Sequence, residues 1–143
     1  MRNKRSLSRE LALRGYYQWL LSGNDPDRIL RELREDESYA RCDETYLERL
    51  WNGITRGHEG LMQTLGPCSD RAVGSLSPIE RGLLAIGAWE LLHEPGIPYR
   101  VAIDEAVELA KRYGGTDGHK FVNGVLDKLA AATRSPEVAA ARA

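Results

Sequence analysis

The sequence predicts an all-α protein, and three observations predict it. Leucine and alanine together number 34, against 17 for valine, isoleucine and threonine, and this excess of good helix formers over β-branched residues opposes strands. Apolar residues recur at gaps of three, four and seven, the period of an amphipathic helix. Helix start and stop signals also punctuate the chain at helix-length intervals. At 143 residues, 42% hydrophobic and 29% charged, the chain suits one compact globular domain.

The elements follow in order. A first helix runs from about Ser6 or Ser8 to Leu21, carrying Leu7, Leu11, Tyr16, Tyr17, Trp19 and Leu20, and Gly23-Asn24 closes it. Asp25-Pro26 supplies an N-cap with proline at the first helical position, opening a short helix to about Asp36. Asp43 caps a longer third helix with Leu47, Leu50, Trp51, Ile54, Leu61, Met62 and Leu65 on its apolar face, ended by Gly66-Pro67. Ser77-Pro78-Ile79-Glu80 is a capping box, the clearest helix start in the chain. The helix it opens is apolar nearly all round, which predicts burial at the centre of the fold. After the Pro95–Pro98 turn, a helix spans Tyr99 to Tyr113 and stops at Gly114-Gly115. Asp117 is placed to cap the last helix, with Phe121, Val122, Val125, Leu126 and Leu129. Residues 134–143, small and sparsely apolar, read as a loose tail. Six or seven helices in one domain over 1–133 is the prediction.

The charge pattern is uneven. Twenty basic and 21 acidic residues leave a net charge of −1, which taken alone argues against nucleic acid. The first 14 residues nevertheless carry Arg2, Lys4, Arg5, Arg9 and Arg14 against Glu10, a net of +4, and the remainder carries −5. Residues 32–48 hold seven acids against Arg34 and Arg41. A cationic head is the usual electrostatic footprint for a phosphate backbone, and a solvated N-terminal face with no partner is the other reading. The longest nearly apolar run, Leu83–Leu92, is too short for a membrane span. With no signal-peptide pattern and two cysteines 26 positions apart, the expected location is cytoplasmic, without a disulfide framework.

Catalytic chemistry finds no foothold. His58, His93 and His119 lack metal-ligand spacing, no phosphate-cradling glycine loop occurs, and no nucleophile stands beside a recognisable base. Asp104 and Glu108 read as an ion-paired helix face with Lys111 and Arg112. The chain is therefore expected to be no enzyme, with no catalytic residue, metal or cofactor. One segment stands out: Asp117-Gly118-His119-Lys120-Phe121-Val122-Asn123-Gly124 holds the only phenylalanine beside a lysine in a glycine-rich turn. An aromatic next to a cation suits base stacking and phosphate contact; a core phenylalanine anchoring the last helix is the other reading.

Residues 76–129 contain Leu-Ser-Pro-Ile-Glu-Arg, Ile-Gly-Ala-Trp-Glu-Leu, Ile-Pro-Tyr-Arg-Val-Ala-Ile-Asp-Glu-Ala-Val-Glu-Leu-Ala-Lys and Lys-Phe-Val-Asn-Gly-Val-Leu-Asp-Lys-Leu. This series, with the N-terminal arginines, Ala12, Tyr17 and Trp19, resembles the NusB family of bacterial transcription antitermination factors, over all but the last ten residues. The resemblance implies about seven helices in two packed three-helix bundles. It implies pairing with the small-subunit ribosomal protein that serves as NusE, joint binding of boxA in nascent RNA, and assembly with other Nus factors on RNA polymerase in ribosomal RNA operons. It further implies RNA contacts at Lys4, Arg5, Arg9, Asp117, Lys120 and Phe121, and partner contacts at Tyr17 and Glu80. Two departures stand: Ser6 and Leu7 occupy positions often arginine in relatives, and Asp104 stands where many have asparagine. The alternatives are a NusB-like interaction module without sequence-specific RNA binding, with a homodimer covering its basic face, and the N-terminal domain of an RNA cytosine methyltransferase.

Overall fold

In the computed structural model, residues 3–143 are described; they form eight α-helices and no strand. By chain contacts they divide into two compact units, residues 1–58 and 59–143. Among the described residues, no helix is long and apolar enough to cross a membrane.

The first unit is built from α1 (Lys4–Ser22), α2 (Pro26–Arg34) and α3 (Glu44–Arg56). Asn3 caps α1 by accepting from the Ser6 amide at 2.8 Å. Gly23 ends the helix in the left-handed conformation, φ 69°, which a residue without a Cβ adopts at no steric cost. Asp25 and Pro26 open α2 as the sequence requires. The core gathers Leu11, Leu13, Tyr16, Ile29, Leu47, Leu50, Trp51 and Ile54, all essentially inaccessible. Trp51 donates its indole N–H to the Pro26 carbonyl at 2.9 Å, so the largest core side chain keeps its polar atom satisfied. Gly15 lets α1 and α3 approach: a Cβ there would lie 2.9 Å from the Trp51 ring. The Tyr16 hydroxyl and His58 Nε2 are 2.7 Å apart, and Trp19 packs edge-on to His58 at 5.1 Å. This histidine is a structural core-edge residue.

The third helix expected from the sequence is in fact two. It breaks at Gly57, and α4 (His58–Leu65) follows as a separate segment. Apolar spacing continues across the break, so periodicity alone does not expose it. The Gly57 backbone donates to the Gly53 carbonyl at 3.1 Å, closing α3.

The second unit centres on α5 (Pro78–His93), packed against α6 (Tyr99–Tyr113) and α7 (Gly118–Thr133). The capping box is formed in both directions between Ser77 and Glu80. The helix is buried almost continuously from Gly82 to Leu91, as its all-round apolar sequence predicts.

The C-terminal residues differ from expectation. Instead of a loose tail, Ser135–Arg142 form α8, with Val138 buried. Arg134, only 9% exposed, is the reason. Its guanidinium donates to the carbonyls of Leu91 at 2.9 Å, Ile97 at 3.0 Å, Glu90 at 3.3 Å and Glu94 at 2.9 Å. It also reaches the Glu137 carboxylate at 2.7 Å. Glu137 in turn accepts the Tyr99 amide at 2.7 Å. One arginine thus satisfies carbonyls at the end of α5, and its partner satisfies an amide at the start of α6, groups that helix ends leave open.

Candidate functional site

The N-terminal candidate residues lie on the first turns of α1, and α3 fixes their surroundings. Ser8 Oγ donates to the Asp43 carbonyl at 2.8 Å and accepts the Asp43 amide at 3.0 Å. Asp43 therefore stands beside α1 while its carboxylate caps α3 through the Tyr46 amide at 3.0 Å. The same carboxylate holds Arg5 Nε at 3.5 Å. The Arg5 guanidinium lies 4.4 Å from the centre of the Tyr46 ring, with Arg9 at 5.7 Å and Arg49 at 5.2 Å. Three guanidiniums share one buried tyrosine. Arg49 is exposed on α3 and was missed by sequence reasoning, because nothing local marks it.

The exposures separate these residues. Lys4 is exposed and the Arg5 side chain retains 43% of its surface. Arg9, where the resemblance implies an RNA contact, is only 2% exposed. A spacing of four does place both on one side of α1, but that side faces Tyr46. Arg14 is engaged by Asp36 at 2.8 Å, and Arg2 lies outside the described residues. The cationic head is therefore partly neutralised by the acidic run that follows it, with Arg5 and Arg14 paired to Asp43 and Asp36. Asp36 also accepts the Ser38 hydroxyl at 2.6 Å and the Ser38 amide at 2.9 Å. These Ser38 bonds, then Arg14, bring its pKa down to about 2.

Tyr17 is 44% and Leu21 61% exposed. Being one turn apart on α1, they form an apolar strip on its outer side.

In the second unit, Asp117 precedes α7 but gives it no side-chain cap, contrary to expectation. Its carboxylate lies 3.7 Å from Lys120 Nζ instead, and both side chains are largely exposed. Phe121 is half-buried. Over its ring, 3.8 Å from the centre, lies the guanidinium of Arg71. Arg71 is held from the side by Glu80, Nη2 to Oε2 at 3.0 Å. Glu80, expected at a partner surface, keeps only 12% of its side-chain exposure and serves both the capping box and Arg71. Arg71 is the second residue that sequence reasoning missed, since it lies in an irregular segment 50 residues from Phe121.

Among the described residues, no group of histidine, cysteine, aspartate and glutamate is arranged to hold a metal ion. The accessible chemistry is that of flat cationic and aromatic surfaces.

Comparisons with known proteins agree with this picture. The transcription antitermination protein NusB of Thiobacillus denitrificans is 51% identical over 138 residues, covering 96% of this chain and 95% of that relative. Among solved structures, T. maritima NusB aligns with a TM-score of 0.76 at 31% identity, covering 91% of this chain and 92% of that one. A NusB chain from a crystal structure of the antitermination factors NusB and NusE in complex with double-stranded RNA aligns with a TM-score of 0.79 at 25% identity, over 92% and 99% of the two chains. The NusB family model matches residues 6–131, and the chain belongs to the NusB family.

Proposed function

We propose that this chain is a transcription antitermination factor that acts by binding and not by catalysis. It pairs with the ribosomal protein NusE, and the pair holds boxA in nascent RNA, in the cytoplasm, while further Nus factors and RNA polymerase complete the assembly. A solved relative is bound to NusE and double-stranded RNA, which supports both partners. The observation that carries the reading is that Lys4, Arg5 and Lys120 keep exposed cationic side chains at the family positions expected to touch RNA.

Roles divide by exposure. Lys4, Arg5 and Lys120 neutralise phosphates, Phe121 supports stacking, and Asp117 orients Lys120. Arg9 acts from within the fold, buried beside Tyr46. Tyr17 anchors the partner together with Leu21, since an exposed aromatic beside an exposed leucine is the kind of patch that association covers. Glu80 contributes through Arg71.

Few phosphates are neutralised by so few exposed cations, so RNA binding by the chain alone is weak and rises when the basic partner adds its own contacts. A gel shift of boxA RNA against a scrambled control, with and without NusE, tests this. The expected result is a boxA preference that strengthens with the partner. Equal retention of both RNAs would leave an interaction module without sequence-specific RNA binding.

A further inference from the structure

We infer that Arg71 is an RNA-binding residue, and that its guanidinium plane, laid on Phe121, is the platform on which an unpaired RNA base stacks. The inference rests on the RNA-binding reading above and adds to it a residue and a mode of contact.

Phe121 cannot offer a base the ring face that Arg71 already covers. The carbon centre of the guanidinium lies over the ring, 3.8 Å from its centroid, close enough for the two groups to touch. The cation is attracted to the electron-rich ring face, and guanidinium is the side-chain cation best suited to lie flat there. Arg71 covers the ring, and 48% of its side chain stays accessible. Nucleobases stack on guanidinium planes as they do on aromatic rings, so the surface offered above Phe121 is cationic and flat.

The platform is braced. Glu80 takes Nη2 at 3.0 Å, and Glu80 is itself fixed by Ser77, whose amide it accepts at 3.3 Å. Arg71 is therefore tied to the first turn of α5 and rests on the first turn of α7. A guanidinium has five N–H donors, and Glu80 is its hydrogen-bonding partner among the described residues. The rest of its edge can donate to a phosphate or a base edge while its plane stacks. Lys120, adjacent to Phe121 and 74% exposed, supplies a second cation on the same turn. Stack, edge donors and neighbouring cation match what an extruded single-stranded base and its phosphate require.

The experiment measures RNA binding by the full chain with NusE present, using single-stranded boxA RNA and a scrambled RNA, for wild type, Arg71→Ala, Arg71→Lys, Phe121→Leu and Phe121→Leu combined with Arg71→Ala. Loss of one base stack weakens binding on the order of 10-fold. Arg71→Ala is expected to lose that factor. Arg71→Lys should recover little of it, with an unchanged salt slope, because the charge stays and the plane goes. Phe121→Leu should lose a similar factor and the double variant no more than Arg71→Ala alone, since one platform is being removed twice. Wild-type affinity in Arg71→Lys would overturn the stacking role, as would full additivity of the two single losses. Should Arg71→Ala fold poorly, Arg71→Lys and Phe121→Leu decide the matter. Stacking tolerates any base, so the series reads equally on scrambled RNA. A wild-type chain that ignores boxA but loses binding on Arg71→Lys overturns sequence specificity and keeps the platform; one that binds neither RNA overturns both.

Discussion

Gly87 and Leu126 meet so closely that a Cβ at position 87 would lie 2.6 Å from Leu126 Cδ1. It is a close approach between α5 and α7, which pack together in the second unit. The absence of a side chain at 87 sets how near the two helices come, and so where α7 places its first turn, with Lys120 and Phe121.

Gly87→Ala is expected to destabilise the chain by about 1–2 kcal/mol. Overpacking a filled core costs roughly 1–3 kcal/mol, and the better helix propensity of alanine offsets up to about 1 kcal/mol of that. Thermal unfolding followed by circular dichroism measures it. Combining Gly87→Ala with Leu126→Ala should cost less than the two separate losses together, because the smaller side chain removes the clash. A Gly87→Ala variant as stable as wild type would refute the close approach.

Arg134→Ala should cost about 3 kcal/mol, since several buried carbonyls lose a charged donor at once. The effect should reach beyond α8. Amide hydrogen exchange is expected to accelerate at the end of α5 and at Tyr99, whose amide partner Glu137 loses its own anchor. Loss of protection confined to residues 135–142 would show that the arginine stabilises only its own helix.

Asp36 gives the first unit an acid-sensitive contact. Its carboxyl is held down to about 2 by Ser38 and Arg14, below the ordinary value of about 3.9. A depressed carboxylate adds stability that is complete above the unfolded-state value and disappears as pH falls through the folded one. Asp36→Asn should therefore lower the urea midpoint at pH 6 and make it less dependent on pH between about 4 and 2. The wild-type and variant curves should converge near pH 2, and parallel curves throughout would refute the contact.

Lys4→Ala is expected to lower RNA affinity equally for boxA and scrambled RNA and to reduce the log–log salt slope by about 0.7, the change for one phosphate on a single strand. Arg9→Ala, in contrast, should lower the unfolding temperature, because its side chain is buried. An unaltered slope in the lysine variant, or an Arg9→Ala chain of wild-type stability, would reverse the division of roles.

The sequence by itself determined the helical class and most helix ends. Asp25-Pro26, Ser77-Pro78-Ile79-Glu80, Gly23 and Gly114-Gly115 act on the backbone within one turn of themselves, so their meaning is carried by neighbours in the chain. It also marked Lys4, Arg5, Lys120 and Phe121 as the residues to watch. Only the tertiary structure decided what those side chains face. Arg5 and Arg9 share a side of α1 and both lie near the Tyr46 ring, yet one keeps its surface and the other is buried. Arg71 covers Phe121 from 50 positions away, and Arg134 closes α5 from about 40 positions away, turning an expected tail into a helix. A side chain's partner depends on which distant elements are packed against it, and burial decides whether a charge is available to RNA or spent on holding the fold.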